Sequence, residues 1–132
     1  MAVLDALAAR LVADNIGVLG TTIFLGFQPP TPDAVVVIYE GRGNGPELTF
    51  GTGVLAVERP SIRVLARGAR NDYPTTRALI LSVRTSLGAI RDETISGTSF
   101  MCVTPTSDPY PLRLDDKERA QLGLDFVVWL RP

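Results

Sequence analysis

The chain has 132 residues, with thirteen basic and fourteen acidic side chains, no histidine and one cysteine. This length suits one domain with a real core, while the lack of histidine and of a second cysteine excludes a Ser-His-Asp triad, a histidine-bearing zinc site and an intramolecular disulfide. The net charge of −1 argues against a protein that coats nucleic acid, yet twelve of the thirteen cations are arginines and seven of them lie from Arg59 to Arg91, where Asp72 is the only acid.

Val3, Leu4, Leu7, Ala8, Leu11, Val12 and Ile16 form one apolar stripe at helical spacing, and Gly17 is expected to cap the helix. Asp5, Arg10 and Asp14 interrupt the stretch, so it reads as a soluble amphipathic helix rather than a signal peptide or membrane anchor. Thr22 to Leu25 and Ala34 to Tyr39 are β-branched and aromatic runs that predict two strands. The loop between them, with Pro29, Pro30 and Pro32, is stiff because each proline fixes its own backbone. The glycines of Gly41-Arg42-Gly43-Asn44-Gly45-Pro46 resemble a phosphate cradle only superficially. Such a loop opens a helix, whereas Pro46 and Leu48-Thr49-Phe50 predict an extended segment. A flexible loop is expected here, with Arg42 as a candidate partner contact.

Ser61 to Gly68 alternates as a strand, with Ile62, Val64 and Ala66 on the buried face and Arg63, Leu65 and Arg67 on the exposed one. Two arginines two residues apart on such a face can grip carboxylates or phosphates, or simply be solvated. Asp72 and Pro74 mark the start of a second helix with Leu79, Ile80, Val83, Leu87 and Ile90 as its buried stripe. Arg77, Arg84 and Arg91 recur every seven residues and are expected along one flank of that stripe. Strands follow at Thr98 to Val103, Tyr110 to Leu114 and Gly123 to Leu130, with Cys102 a buried small hydrophobe and Trp129 an anchor for the core or a subunit contact. Asp115-Asp116-Lys117-Glu118-Arg119 holds the densest group of carboxylates. No second group converges on it, so it reads as a solvated turn with local ion pairs rather than a hydrolase or metal site.

These elements predict a single α+β domain over residues 1–132, a mixed or antiparallel β-sheet with two amphipathic helices packed on it and a C-terminal β-meander. Their order resembles the tail terminator family of long-tailed bacteriophages, also called tail completion or minor capsid proteins. The stretches that carry the likeness are Asn15 to Tyr39 (NIGVLGTTIFLGFQPPTPDAVVVIY), Arg59 to Leu87 (RPSIRVLARGARNDYPTTRALILSVRTSL) and Leu122 to Leu130 (LGLDFVVWL). The region from Gly41 to Glu58 does not follow the family pattern.

The resemblance implies a non-enzymatic virion protein at the tail–head junction, assembled in the host cytoplasm. It implies a ring, typically a hexamer, that sits on the last ring of the tail tube, stops its polymerisation and meets the head connector or head completion protein. A head-side connector that binds the portal complex is the alternative. The source is open between a free phage, a prophage and a gene transfer agent. A ring needs two complementary faces that meet head-to-tail. Arg63, Arg67, Arg70, Arg77 and Arg84 are expected to supply the basic face, and Asp115, Asp116 and Glu118 the acidic face of a neighbouring subunit or of the tube. No catalytic residue, cofactor or metal is expected, nor a membrane or tightly bound nucleic acid as partner. A small enzyme and an unrelated cellular binding module are the other function classes that remain.

Overall fold

The computed structural model describes residues 2–41, 47–48, 55–115 and 117–131. The first helix, α1 (Ala2–Ala13), buries Leu4, Leu7, Ala8 and Leu11. It ends before Gly17. Asn15 takes a left-handed φ of 59°, its N–H donates to the Val12 carbonyl, and the Ile16 N–H donates to the Leu11 carbonyl. That pair of bonds closes a helix C-terminus, and asparagine tolerates the conformation better than most residues with a side chain.

Strands β1 (Ile23–Leu25) and β2 (Val35–Glu40) are parallel neighbours, with Ile23 opposite Val36. The proline segment between them contains a cis Thr31–Pro32 bond. Strands β3 (Glu47–Leu48) and β4 (Leu55–Val57) form a separate antiparallel pair. Strand β5 (Ser61–Arg70) turns Ile62, Val64 and Ala66 inward, as their alternation predicts. At the start of α2 (Tyr73–Gly88), the Asp72 side chain accepts the Thr75 N–H at 3.3 Å, and Pro74 lies in the first turn. Ile80, Val83 and Leu87 are fully buried and Leu79 half-buried; Ile90 is also buried, but lies beyond the helix end.

The sequence pattern did not reveal β6 (Arg91–Ile95), a charged strand. Ser96 and Gly97, with φ of 49° and 82°, join it to β7 (Thr98–Pro105), and two consecutive positive φ values are what a tight hairpin requires. Strand β8 (Tyr110–Leu112) is shorter than expected, and β9 (Arg119–Leu130) begins four residues earlier than Gly123.

The main sheet has seven strands in the order β1-β2-β5-β9-β7-β6, with β8 also paired to β9. Only the β1–β2 ladder is parallel. Helix α2 packs on β5, β9 and β7, while α1 touches β1 and β2 near one end of the sheet and β6 and β7 at the other. One helix reaches both ends because the sheet curls around α2. The inner face carries the main core, including Phe100, Phe126 and Val128. A smaller cluster of Val35, Val37 and Leu65 lies on the outer face, against Phe24, Tyr39 and Leu112. The join between β5 and α2 is close at Gly68, where a Cβ would collide with the Thr76 side chain and approach the Asp72 carbonyl oxygen to 3.3 Å. Among the described residues no helix is long and apolar enough to cross a membrane.

Candidate interaction surfaces

Alternation along β5 puts Arg67 on the outer face beside Arg63, but the structure corrects the expectation that it is exposed. Arg67 is only 1% exposed. Its Nε donates to the Asp33 carbonyl at 3.0 Å, Nη1 to the Pro29 carbonyl at 2.6 Å and Nη2 to the Pro32 carbonyl at 2.6 Å. Arg119 at the start of β9 is 3% exposed and grips the same segment. Its Nη1 donates to the Pro30 carbonyl at 2.7 Å and to Asp33 Oδ1 at 3.2 Å, and its Nε donates to Asp115 Oδ2 at 2.7 Å. The chemistry follows from proline. A proline-rich segment has few N–H groups, so its carbonyls lack a ladder partner, and a guanidinium with five donors supplies several acceptors at once. Burial lowers the Arg67 pKa, as does the nearby charge of Arg119, against the opposing pull of Asp115 and Asp33.

The 115–119 cluster is therefore not simply a solvated turn. Asp115 is half-buried and accepts the backbone N–H groups of Lys117 at 3.0 Å and Arg119 at 2.9 Å, in addition to the Arg119 guanidinium. Burial by itself would raise the Asp115 pKa. The hydrogen bonds from Arg119 and Lys117 outweigh it and hold the carboxyl below its ordinary value.

On the outer face, Arg63 Nε and the Tyr110 hydroxyl both donate to Asp125 Oδ1 at 3.0 Å. The Arg63 guanidinium also lies 6.0 Å from the Tyr110 ring centroid. Arg63 thus remains exposed but is committed to a partner across the β5–β9 ladder. Arg70 pairs with Glu118 at 2.6 Å. The contact between basic and acidic groups expected across subunits is, for this pair, made within one chain.

The outward side of α2 is different. Arg77 is exposed and makes no hydrogen bond or ion pair with the described residues, and Arg84 has only a loose 3.9 Å approach to the exposed Asp108. Arg91 does not continue this row, because α2 stops at Gly88 and Arg91 opens β6. An open groove of about 990 Å³ lies between the end of α1 and α2, lined by Asp14, Ile16, Ala78, Ser82 and Thr85 among others. Across its floor the Ser86 hydroxyl donates to Asp14 Oδ2 at 2.5 Å, and Arg10 ties α1 to Glu93 of β6 at 2.7 Å. The Ser86 bond is the main cause that lowers the Asp14 pKa.

Arg42 and Asp116 lie outside the described residues. Of the other expected contact residues, the structure sets Arg67 and Asp115 around one concavity, pairs Arg63 with Asp125 and Arg70 with Glu118, and leaves Arg77 and Arg84 outward. Sequence reasoning missed Arg119 as an anchor. Its signal was available, since Arg119 follows Asp115 by four residues and both flank the start of a strand. It also missed Asp125, which sits opposite Arg63 in the β5–β9 register. Trp129 is half-buried under the Arg59 guanidinium, 5.2 Å from the ring centroid, and Cys102 is half-buried rather than buried. No group of three or more metal-ligating side chains occurs among the described residues.

A family model described as bacteriophage tail terminator protein matches residues 10–130. A solved chain from the virion of a native gene transfer agent (GTA) particle has the same fold, with a TM-score of 0.70, 19% sequence identity, and coverage of 99% of this chain and 96% of that one. No curated protein matches the chain.

Proposed function

The chain belongs to the bacteriophage tail terminator family and is a structural virion protein, and from this we propose that it forms a ring on the last ring of the tail tube. The ring ends tube polymerisation and offers its other side to the head connector. The observation that carries this reading is the family match, which spans nearly the whole chain rather than one motif. Six copies, the number implied by the family resemblance, close the ring, and the site of action is the tail–head junction of a phage or of a gene transfer agent.

The surface groups support a mechanical role. A head-to-tail ring needs two unlike patches on one subunit. The Arg77 and Arg84 flank of α2 is one, since its cations have little or no partner among the described residues. Arg63 on the outer sheet face differs from it, because Asp125 neutralises the guanidinium and the patch presents a fixed ion pair. A near-neutral chain also lets a genome pass without holding it, because tight nucleic-acid binding needs a surplus of cations.

The test is to mix the full chain with polymerising tail-tube protein and, separately, with filled heads, and to image both by negative-stain microscopy. Short tubes that carry a ring at one end are the expected result. Rings on heads but not on tubes would move the protein to the head side of the junction, and unchanged tubes and heads would end the proposal.

A further inference from the structure

The two anchoring arginines do more than hold the proline segment. A small concavity of about 270 Å³ opens beside them, lined by Gln28, Pro29, Pro30, Arg67, Asp115, Lys117 and Arg119. We infer that this concavity is a binding site for one carboxylate side chain, an aspartate or glutamate presented by a partner protein.

Three observations carry the assignment. The first is donor supply. Each guanidinium has five N–H groups; Arg67 spends three of them on carbonyls, and Arg119 Nη2 has no acceptor among the described residues. Lys117, exposed at the rim, adds an ammonium that makes no side-chain hydrogen bond or ion pair with the described residues. The second is preorganisation. Both guanidiniums are at least nine-tenths buried and fixed by the loop they bind, so a ligand need not immobilise them. The third is local charge. The Arg67 charge is disfavoured chiefly by burial and then by Arg119 beside it, against the pull of Asp115 and Asp33, and one more carboxylate would favour it.

The same surroundings choose between anions. Asp115 lines the concavity, Asp33 bonds to Arg119 nearby, and Glu118, paired with Arg70, immediately precedes Arg119. Three carboxylates around the site oppose a polyanion such as a nucleic-acid backbone, while a single planar carboxylate matches the guanidinium fork. Pro29 and Pro30 supply an apolar wall for the methylene stem of the incoming side chain. The site is a property of the folded subunit, so its test does not depend on ring or tube assembly.

The experiment follows the Arg67 and Arg119 Nε–H resonances of the ¹⁵N-labelled full chain as glutarate is added at constant ionic strength, with inorganic phosphate and a short single-stranded oligonucleotide in parallel. The expected result is a saturable, millimolar shift of these two resonances with glutarate, while those of Arg77 and Arg84 move only linearly. Lys117→Ala removes an exposed side chain outside the anchor and is expected to weaken glutarate about two- to fivefold, the size of one exposed ion pair. Arg119→Lys is expected to abolish saturation, and Lys117→Ala keeps the test valid if that variant does not fold. The assignment is overturned if the shifts do not saturate, if Lys117→Ala leaves the midpoint unchanged, or if phosphate or the oligonucleotide binds more tightly than glutarate.

Discussion

Arg67 and Arg119 point into the molecule, whereas Arg77 and Arg84 point out of it, although both pairs belong to the same arginine-rich stretch or its neighbouring strand. The difference is set by what faces each side chain. The β5 and β9 arginines meet a segment whose prolines leave carbonyls without partners, and their guanidiniums become part of the core. The α2 arginines face solvent. Arginine in this chain thus serves as an internal clamp in one place and as a contact surface in another. A count of positive charge cannot distinguish the two.

The contrast can be broken most sharply at Arg67. Arg67→Ala removes three hydrogen bonds and leaves the buried Pro29 carbonyl unpaired, and should cost about 3–5 kcal/mol, lowering Tm by roughly 10–20 °C. Urea unfolding measures this directly, and a loss under about 0.5 kcal/mol would mean that the clamp does not hold the fold.

A smaller effect is expected next door at Gly68→Ala, which forces the join between β5 and α2 apart at Thr76 and should cost about 1–3 kcal/mol. The same unfolding midpoints report it. Unchanged stability would show that the Thr76 side chain can turn aside.

Acid should act on the clamp through Asp115. Its folded pKa is depressed, so its stabilising contribution is present above the unfolded value of about 3.9 and disappears as pH falls through the lower folded value. Asp115→Asn should therefore be less stable than the parent at neutral pH and lose less on acidification. Parallel acid-unfolding curves for the two proteins would contradict this.

The outward pair should behave in the opposite way. Arg77→Glu with Arg84→Glu is expected to change stability by no more than about 0.5 kcal/mol, because neither side chain has a close partner among the described residues. The same variant should fail to cap tubes in the microscopy assay. If it caps normally, the α2 flank is a solvated edge and the contact surface lies elsewhere.

Much of the local structure was legible from residues alone. The apolar stripes of both helices and the Asp72–Pro74 start of α2 are local patterns, and the inward face of β5 follows from simple alternation. Family membership was legible from the order of these elements. Strand β6 was not, because its Arg-Asp-Glu-Thr composition has little strand character; the Ser96-Gly97 turn that follows was the available signal. The early stop of α1 at Asn15 was hidden by the more obvious glycine two residues later.

Spacing along the chain fixes which face of an element a residue occupies, and composition fixes what chemistry the chain can perform, so α+β class, core stripes and the lack of a histidine-based site were determined by the sequence. It did not determine the use of each charge. Whether a guanidinium meets water, a carbonyl or a carboxylate depends on segments far away in the chain, as Arg119 and Pro30 are, and only the curled sheet brings those segments together. Tertiary structure therefore decided which arginines hold the fold and which remain for partners.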